Sequence, residues 1–167
     1  LLPAAAFAAV KTEVVEYRQG DTVLQGWVAW DDAVKGPRPG VMLIHDWMGA
    51  TAHQKALVEK LAALGYVALA ADVYGKGVRP ADAKAAAAEA GKYYGDRAVL
   101  RARARAGLDF LAARPQADPA RLAVTGYCFG GMAALELARS GAPLLATVSF
   151  HGSLGTPTPQ DAKNIRG

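Results

Sequence analysis

Four short apolar runs recur along the chain: VMLIH at 41–45, YVALAA at 66–71, RLAVT at 121–125 and LLATVSF at 144–150. Runs that lack polar alternation suit strands covered on both faces, as in a parallel sheet. Between them lie stretches of helical character. Residues 53–64 (HQKALVEKLAAL) place Ala56, Leu57, Leu61 and Leu64 near one helical face, and Gly65 stands where a helix C-terminus needs glycine. Residues 81–94 and 96–113 read as two helices joined near Gly95, and 132–140 (MAALELARS) as a fourth. Ahead of all these, TEVVEY (12–17) and TVLQGWVAW (22–30) flank the turn signal Arg18-Gln19-Gly20-Asp21 and predict an antiparallel hairpin. Alternation of this kind specifies an α/β layer fold with a mostly parallel sheet, whose ligands bind beyond the C-terminal ends of the strands.

The bulk composition narrows the function. At 167 residues the chain is one domain, and 52% apolar residues exclude intrinsic disorder. Thirty-seven alanines inflate helix propensity, so the helices rest on their placement rather than on propensity. A net charge of +4, with no basic block interleaved with aromatics, gives no reason to expect nucleic-acid binding. Arg97, Arg101 and Arg105 recur at i, i+4 and i+8 and read as a solvated helix face. No stretch reaches the roughly 18 consecutive apolar residues of a membrane span. The first residues, LLPAAAFAAV, resemble the end of a secretory signal peptide with Ala6-Phe7-Ala8 as its small-x-small site. The expected organisation is therefore a leader remnant at 1–8, a single domain at 9–167, and a periplasmic or secreted location. No pattern for a cofactor or a metal is expected.

The one cysteine, Cys128, has no partner for an internal disulfide. It sits in Gly126-Tyr127-Cys128-Phe129-Gly130-Gly131, after the strand LAVT and before an amphipathic helix. That is the strand–turn–helix setting of a nucleophile elbow. A nucleophile at the tip of a sharp turn needs small neighbours where strand and helix crowd together, and Gly126 and Gly130 occupy those places. The helix N-terminus beneath the thiol favours its ionised form.

Taken with VMLIHDWMG upstream and YVALAADVYGKG between, the GYCFGG block resembles the dienelactone hydrolase family of α/β-hydrolases, from about Thr12 to Gly167. The resemblance implies an α/β-hydrolase fold: a three-layer sandwich with an N-terminal antiparallel hairpin, truncated at its C-terminus. It also implies a thiol that attacks a small ester or lactone and forms a thioester which water hydrolyses. Asp46 falls where the family commonly has a glutamate that contacts the resting thiol, and it is one methylene shorter. The oxyanion hole maps to the backbone N–H groups of Phe129 and Trp47. A cation for a substrate carboxylate falls near Lys76, with Arg79 as a second candidate. The acid and base of the triad are expected beyond Gly167. Of the histidines present, His45 reads as a hydrogen-bonded strand-end residue, His53 as solvent-facing, and His151 as a group at the pocket rim. The rival reading is a non-catalytic module that keeps the elbow and binds a ligand or a protein in the groove. The sequence leaves the oligomeric state open.

Overall fold

The computed structural model describes residues 10–167. The leader reading for residues 1–8 lies outside the described residues. The chain forms β1 (Val10–Gln19), β2 (Thr22–Asp31), β3 (Arg38–Ile44), α1 (Ala52–Ala63) and β4 (Val67–Ala71). It continues with α2 (Ala83–Gly95), α3 (Arg97–Ala112), β5 (Ala117–Tyr127), α4 (Phe129–Arg139), β6 (Ala146–Phe150) and a 3₁₀ turn at Pro159–Asn164. The six strands form one sheet in the order β1-β2-β4-β3-β5-β6. β3, β4, β5 and β6 run parallel, while β1–β2 and β2–β4 are antiparallel.

The predicted hairpin is present and longer than expected. Gln19 pairs with Thr22, so Gly20 and Asp21 form a two-residue turn, and Gly20 takes a φ of 54° that side chains resist. Strand alternation divides the core between two faces. Met42, Ile44, Val67 and Leu69 pack with Leu100, Leu108 and Leu111 of α3 and Met132 and Leu137 of α4. Leu43, Ala68 and Ala70 point the other way, onto Val58 and Ala62 of α1. This is the expected three-layer α/β/α sandwich.

Two helix-face readings are corrected. In α1 the buried residues are Gln54, Val58 and Ala62, whereas Leu57 and Leu61 are half-covered and Leu64 is 74% exposed. The four-residue apolar pattern belongs to the side of α1 that looks along the sheet rather than down onto it. The arginine stripe of α3 is not uniformly solvated. Arg101 binds Glu136 and Asp161, Arg97 lies over the Tyr94 ring and donates to Met132 Sδ, and only Arg105 pairs at the surface, with Asp109.

β5 includes the predicted Asp118-Pro119 turn as an irregularity. Pro39 pairs with Asp118 but Gly40 pairs with Leu122, so Pro119, Ala120 and Arg121 loop out. Asp118 stabilises that loop by accepting from Ala120 N–H and Arg121 Nε. β6 begins at Ala146, two residues later than expected, and lies at the end of the sheet with its residues alternately exposed and half-buried. No helix among the described residues is long and apolar enough to cross a membrane.

Candidate active site

β3 lies between β4 and β5, with α1 on one face of the sheet and α3 on the other, so the chain leaves β3 and reaches β5 around opposite sides of the sheet. The C-terminal ends of β3 and β5 are thus a topological switch point, where α/β sheets open a crevice. Ile44 and Gly126 pair there. His45–Gly49 follow the first strand and Cys128 ends the second.

Cys128 alone separates β5 from α4, a tighter turn than the six-residue motif suggested. Its backbone is at φ 55°, ψ −118°, a conformation that costs a non-glycine residue on the order of 1–3 kcal/mol and that concentrates at functional sites. Packing holds it there. A Cβ on Gly126 would be driven into the Gly130 carbonyl, and a Cβ on Gly130 into the Ile44 carbonyl oxygen, with His45 O at 2.6 Å. Both glycines are thus required by the close approach of α4 to the sheet, as the spacing implied. Cys128 N–H donates to Phe150 O at 2.9 Å, and Cys128 O accepts from Met132 N–H. The side chain is half-buried. Phe129, the first residue of α4, has a helix-terminal N–H with no carbonyl of its own helix to bond.

The segment after β3 forms a compact turn. Gly49 N–H donates to Asp46 O at 3.2 Å, and Gly49 takes a φ of 86°. Asp46 Oδ1 accepts from Met48 N–H at 2.8 Å and Oδ2 from Gln54 Nε2 at 3.2 Å. Gln54 in turn closes the capping box of α1 with Thr51. The Asp46 carboxylate therefore organises its own turn and anchors it to α1. The Met48 and Gly49 N–H groups are engaged, and among the described residues no acceptor meets that of Trp47. The Trp47 carbonyl accepts from the Tyr74 hydroxyl at 3.1 Å.

Beneath this turn lies a buried aromatic cluster. The His45 ring meets Tyr74 edge-on at 4.5 Å between centroids and stacks on Phe129 at 5.8 Å, while Tyr74 stacks on Tyr93. Burial raises the Tyr74 phenol well above its ordinary range and holds Tyr93 up to about 12, so both are neutral donors. His45 is fully buried, as the strand-end reading expected. Its Nδ1 lies 2.6 Å from Asp46 O, and Nε2 accepts from Val73 N–H at 3.2 Å. Those partners define a neutral ring protonated on Nδ1. Burial lowers its pKa, and the bond to Asp46 O and the charge of Asp72 oppose that only in part.

The loop after β4 is built on Asp72, which is fully buried. Its carboxylate accepts from the N–H groups of Gln25, Tyr74 and Gly75. Arg79 closes the loop, donating to Val78 O with its guanidinium 3.8 Å from Asp72. Lys76 reaches away to Glu16 of β1 at 2.6 Å. Arg79 also lies against Gly49 of the turn after β3, where its Cδ would stand 3.3 Å from a Cβ on that glycine. His151 follows β6 at φ 44°, exposed, with its ring 6.2 Å from that of Tyr127. It stands near the elbow, one residue beyond the Phe150 carbonyl that holds Cys128. His53 lies exposed in the first turn of α1.

Two side chains the sequence reading passed over complete the frame. Arg103 donates to Val73 O and Tyr74 O from under the loop and lies over the Tyr93 ring. Glu136, fully buried in α4, receives Arg101 and Arg139. Burial alone would raise its pKa, but the Arg101 guanidinium, the Thr156 hydroxyl and Arg139 lower it overall. A lone acid on an apolar helix was the available signal. Among the described residues no cluster of His, Cys, Asp and Glu fits a metal ion.

Comparison with known proteins agrees with this fold. The dienelactone hydrolase family profile matches residues 24–167. A solved structure described as m3DLH superposes with a TM-score of 0.91 at 45% identity, covering 95% of this chain and 66% of that one. A dienelactone hydrolase-like promiscuous phosphotriesterase from metagenomic libraries gives 0.90 at 44% identity, covering 95% of this chain and 66% of that one. Protein usf of Aquifex pyrophilus is 32% identical over 164 residues, 92% of this chain and 67% of its own length. The chain thus spans about two thirds of the length of these relatives. With an α/β sheet, a strained cysteine elbow and this match in hand, the chain belongs to the dienelactone hydrolase family, within the α/β-hydrolase fold.

Proposed function

We propose that the protein hydrolyses small carboxylic esters or lactones through a thioester on Cys128. The observation that carries this reading is the positive φ of Cys128 between β5 and α4, maintained by two glycines that admit no Cβ. Strain of this order at a half-exposed thiol has no structural use, since a core cysteine needs no turn tip. In the reaction the thiolate attacks the carbonyl carbon, and the electron pair moves onto the oxygen. That oxygen is received by the N–H groups of Phe129 and Trp47. The carbon–oxygen bond to the leaving group then breaks, the alkoxide takes the proton that the thiol gave up, and water hydrolyses the thioester to release the carboxylic acid and restore the thiol.

His45 is unsuited to be the base, because both ring nitrogens are engaged in a fully buried site. His151 is the histidine at the rim and serves as pocket wall in this reading. Asp46 acts by building the turn that presents Trp47. Lys76 and Arg79, held by Glu16 and Asp72, have their charges already met. The similarity to a promiscuous phosphotriesterase adds an activated phosphotriester to the substrates worth assaying.

The test is mass spectrometry of the protein quenched during turnover of an activated aryl ester. An acyl adduct on Cys128, absent from Cys128→Ala together with turnover, is the expected result. A ligand held tightly with no adduct and no turnover would favour the binding-module reading.

A further inference from the structure

We propose that His45 is a positioning residue that aims the Trp47 N–H at the substrate oxyanion, a role that rests on the thioester reading above. The argument starts from the peptide joining Asp46 to Trp47. A trans peptide is planar, so its C=O and N–H point in opposite directions. Whatever fixes the Asp46 carbonyl therefore also fixes the Trp47 N–H. Two donors hold that carbonyl oxygen: Gly49 N–H at 3.2 Å and His45 Nδ1–H at 2.6 Å. The first is long and belongs to the turn itself. The second comes from a ring that cannot move, stacked on Phe129, met by Tyr74, and tied through Nε2 to Val73 N–H. The Trp47 N–H accordingly faces away from the buried ring.

The same ring touches both halves of the oxyanion hole. It bonds the peptide that carries the Trp47 donor, and its face lies on the side chain of Phe129, the residue that supplies the other. Preorganised donors matter because reorienting a dipole during the reaction would return much of the stabilisation. Only a neutral imidazole protonated on Nδ1 offers a donor to Asp46 O and an acceptor to Val73 N–H at once. That pairing explains a fully buried histidine directly after the apolar run at 41–44.

Two substitutions in the intact protein separate the two bonds. His45→Asn places an amide N–H near the Nδ1 position and keeps the bond to Asp46 O. His45→Gln places its amide near Nε2, keeping the acceptor for Val73 and losing the donor to Asp46. The readouts are kcat and KM for an aryl ester, and the rate of Cys128 alkylation by iodoacetamide, a displacement at saturated carbon that develops no oxyanion. The expected result for His45→Gln is a kcat lower by roughly 10²-fold, the loss typical of one oxyanion donor. KM should stay within a few-fold and alkylation should be unchanged. His45→Asn should restore kcat to within about tenfold of the parent. Equal kcat in the two variants, or alkylation falling in step with acylation, would overturn the inference. If His45→Gln does not fold, a folded His45→Asn that has lost 10²-fold in kcat overturns it equally. Turnover that survives in Cys128→Ala would instead remove the thioester reading on which it rests.

Discussion

Cys128 N–H donates to the carbonyl oxygen of Phe150 at 2.9 Å, so the turn that carries the thiol is tied to the last residue of the edge strand. The connection continues one layer deeper. Gly152 packs so closely on α4 that a Cβ there would run into Met132 N and the Gly131 carbonyl carbon. Gly152→Ala must therefore push the segment after β6 away from α4 and pull on Phe150. The expected cost is about 1–3 kcal/mol of stability, the range for overpacking a tight site. Ester turnover should fall by more than that loss of folded protein explains. Denaturant unfolding and turnover per titrated thiol check the two parts separately.

Asp46→Asn tests what the carboxylate does. Oδ1 can still accept from Met48 N–H, but an amide nitrogen replaces Oδ2 and meets the NH₂ of Gln54, whose own oxygen accepts from Thr51. Donor faces donor, and the link from the turn to α1 is lost. We expect kcat to fall by about tenfold, with the alkylation–pH profile of Cys128 unchanged. A profile shifted to lower pH would show that the Asp46 charge acts on the thiol directly, as the family's gating contact requires.

Much of this site is legible in the sequence, because turns write their requirements into glycine spacing. Gly126 and Gly130 announce a close approach that leaves no room for a Cβ, and Cys128 between them is the half-buried tip. Asp72, Arg103 and Glu136 are different. Each is a single charged residue at a strand end or on a helix, with at least one partner far along the chain: 47 residues for Asp72 and Gln25, 30 for Arg103 and Val73, 35 for Arg101 and Glu136. Such pairs have no period. The face of α1 that meets the sheet is hidden for a related reason. Leu57, Leu61 and Leu64 form an apolar pattern as good as that of Val58 and Ala62, and helical spacing alone cannot say which of two apolar faces meets the sheet.

Arg101 joins α3 to α4 and to the 3₁₀ turn at once, through Glu136 at 2.7 Å and Asp161 at 2.7 Å, with Thr158 Oγ1 at 3.0 Å. Arg101→Ala leaves Glu136 fully buried with Arg139 as its remaining cation. Removing one partner of a buried pair costs about 3–5 kcal/mol, and Arg139 should keep the loss near the lower end. Thermal unfolding will measure it. Arg105→Ala, whose partner Asp109 is exposed, is the control and should change stability by less than about 0.5 kcal/mol.

Acid should act in two stages. The folded pKa of His45 lies below its ordinary 6.5, chiefly through burial, so the unfolded chain takes up that proton first. The resulting stability is complete above pH 6.5 and is lost as pH falls from there toward the folded value. Glu136 and Asp161 also have lowered values, so their contribution is complete above their ordinary 4.5 and 3.8 and declines below them. Denaturation midpoints should thus begin to drop just under pH 6.5 and again under pH 4.5. In His45→Asn the first decline should vanish and the second remain. An identical curve for that variant would assign the first decline to another group.

The open side of the sheet gives the last expectation. A groove of about 400 Å³ runs between α1 and β6, walled by Val41, Leu43, Leu57, Leu61, Val148 and Phe150. Leu64 and Val148 are 74% and 45% exposed at its margins, and β6 is the terminal strand of the sheet. An apolar groove beside a strand edge favours association of chains, by apolar contact or by added strand pairing. Residues 1–167 in solution should therefore bind a hydrophobic dye and self-associate with rising concentration. Val148→Lys sets a charge on the strand face, and Leu64→Lys sets one on the rim, each at a position already half-open to water. Both should reduce dye binding and association while moving the unfolding midpoint by little, since surface changes of this kind cost within about 0.5 kcal/mol. Sedimentation at several concentrations, for the parent and both variants, makes the measurement. Unchanged association in both variants would place the contact elsewhere on the molecule.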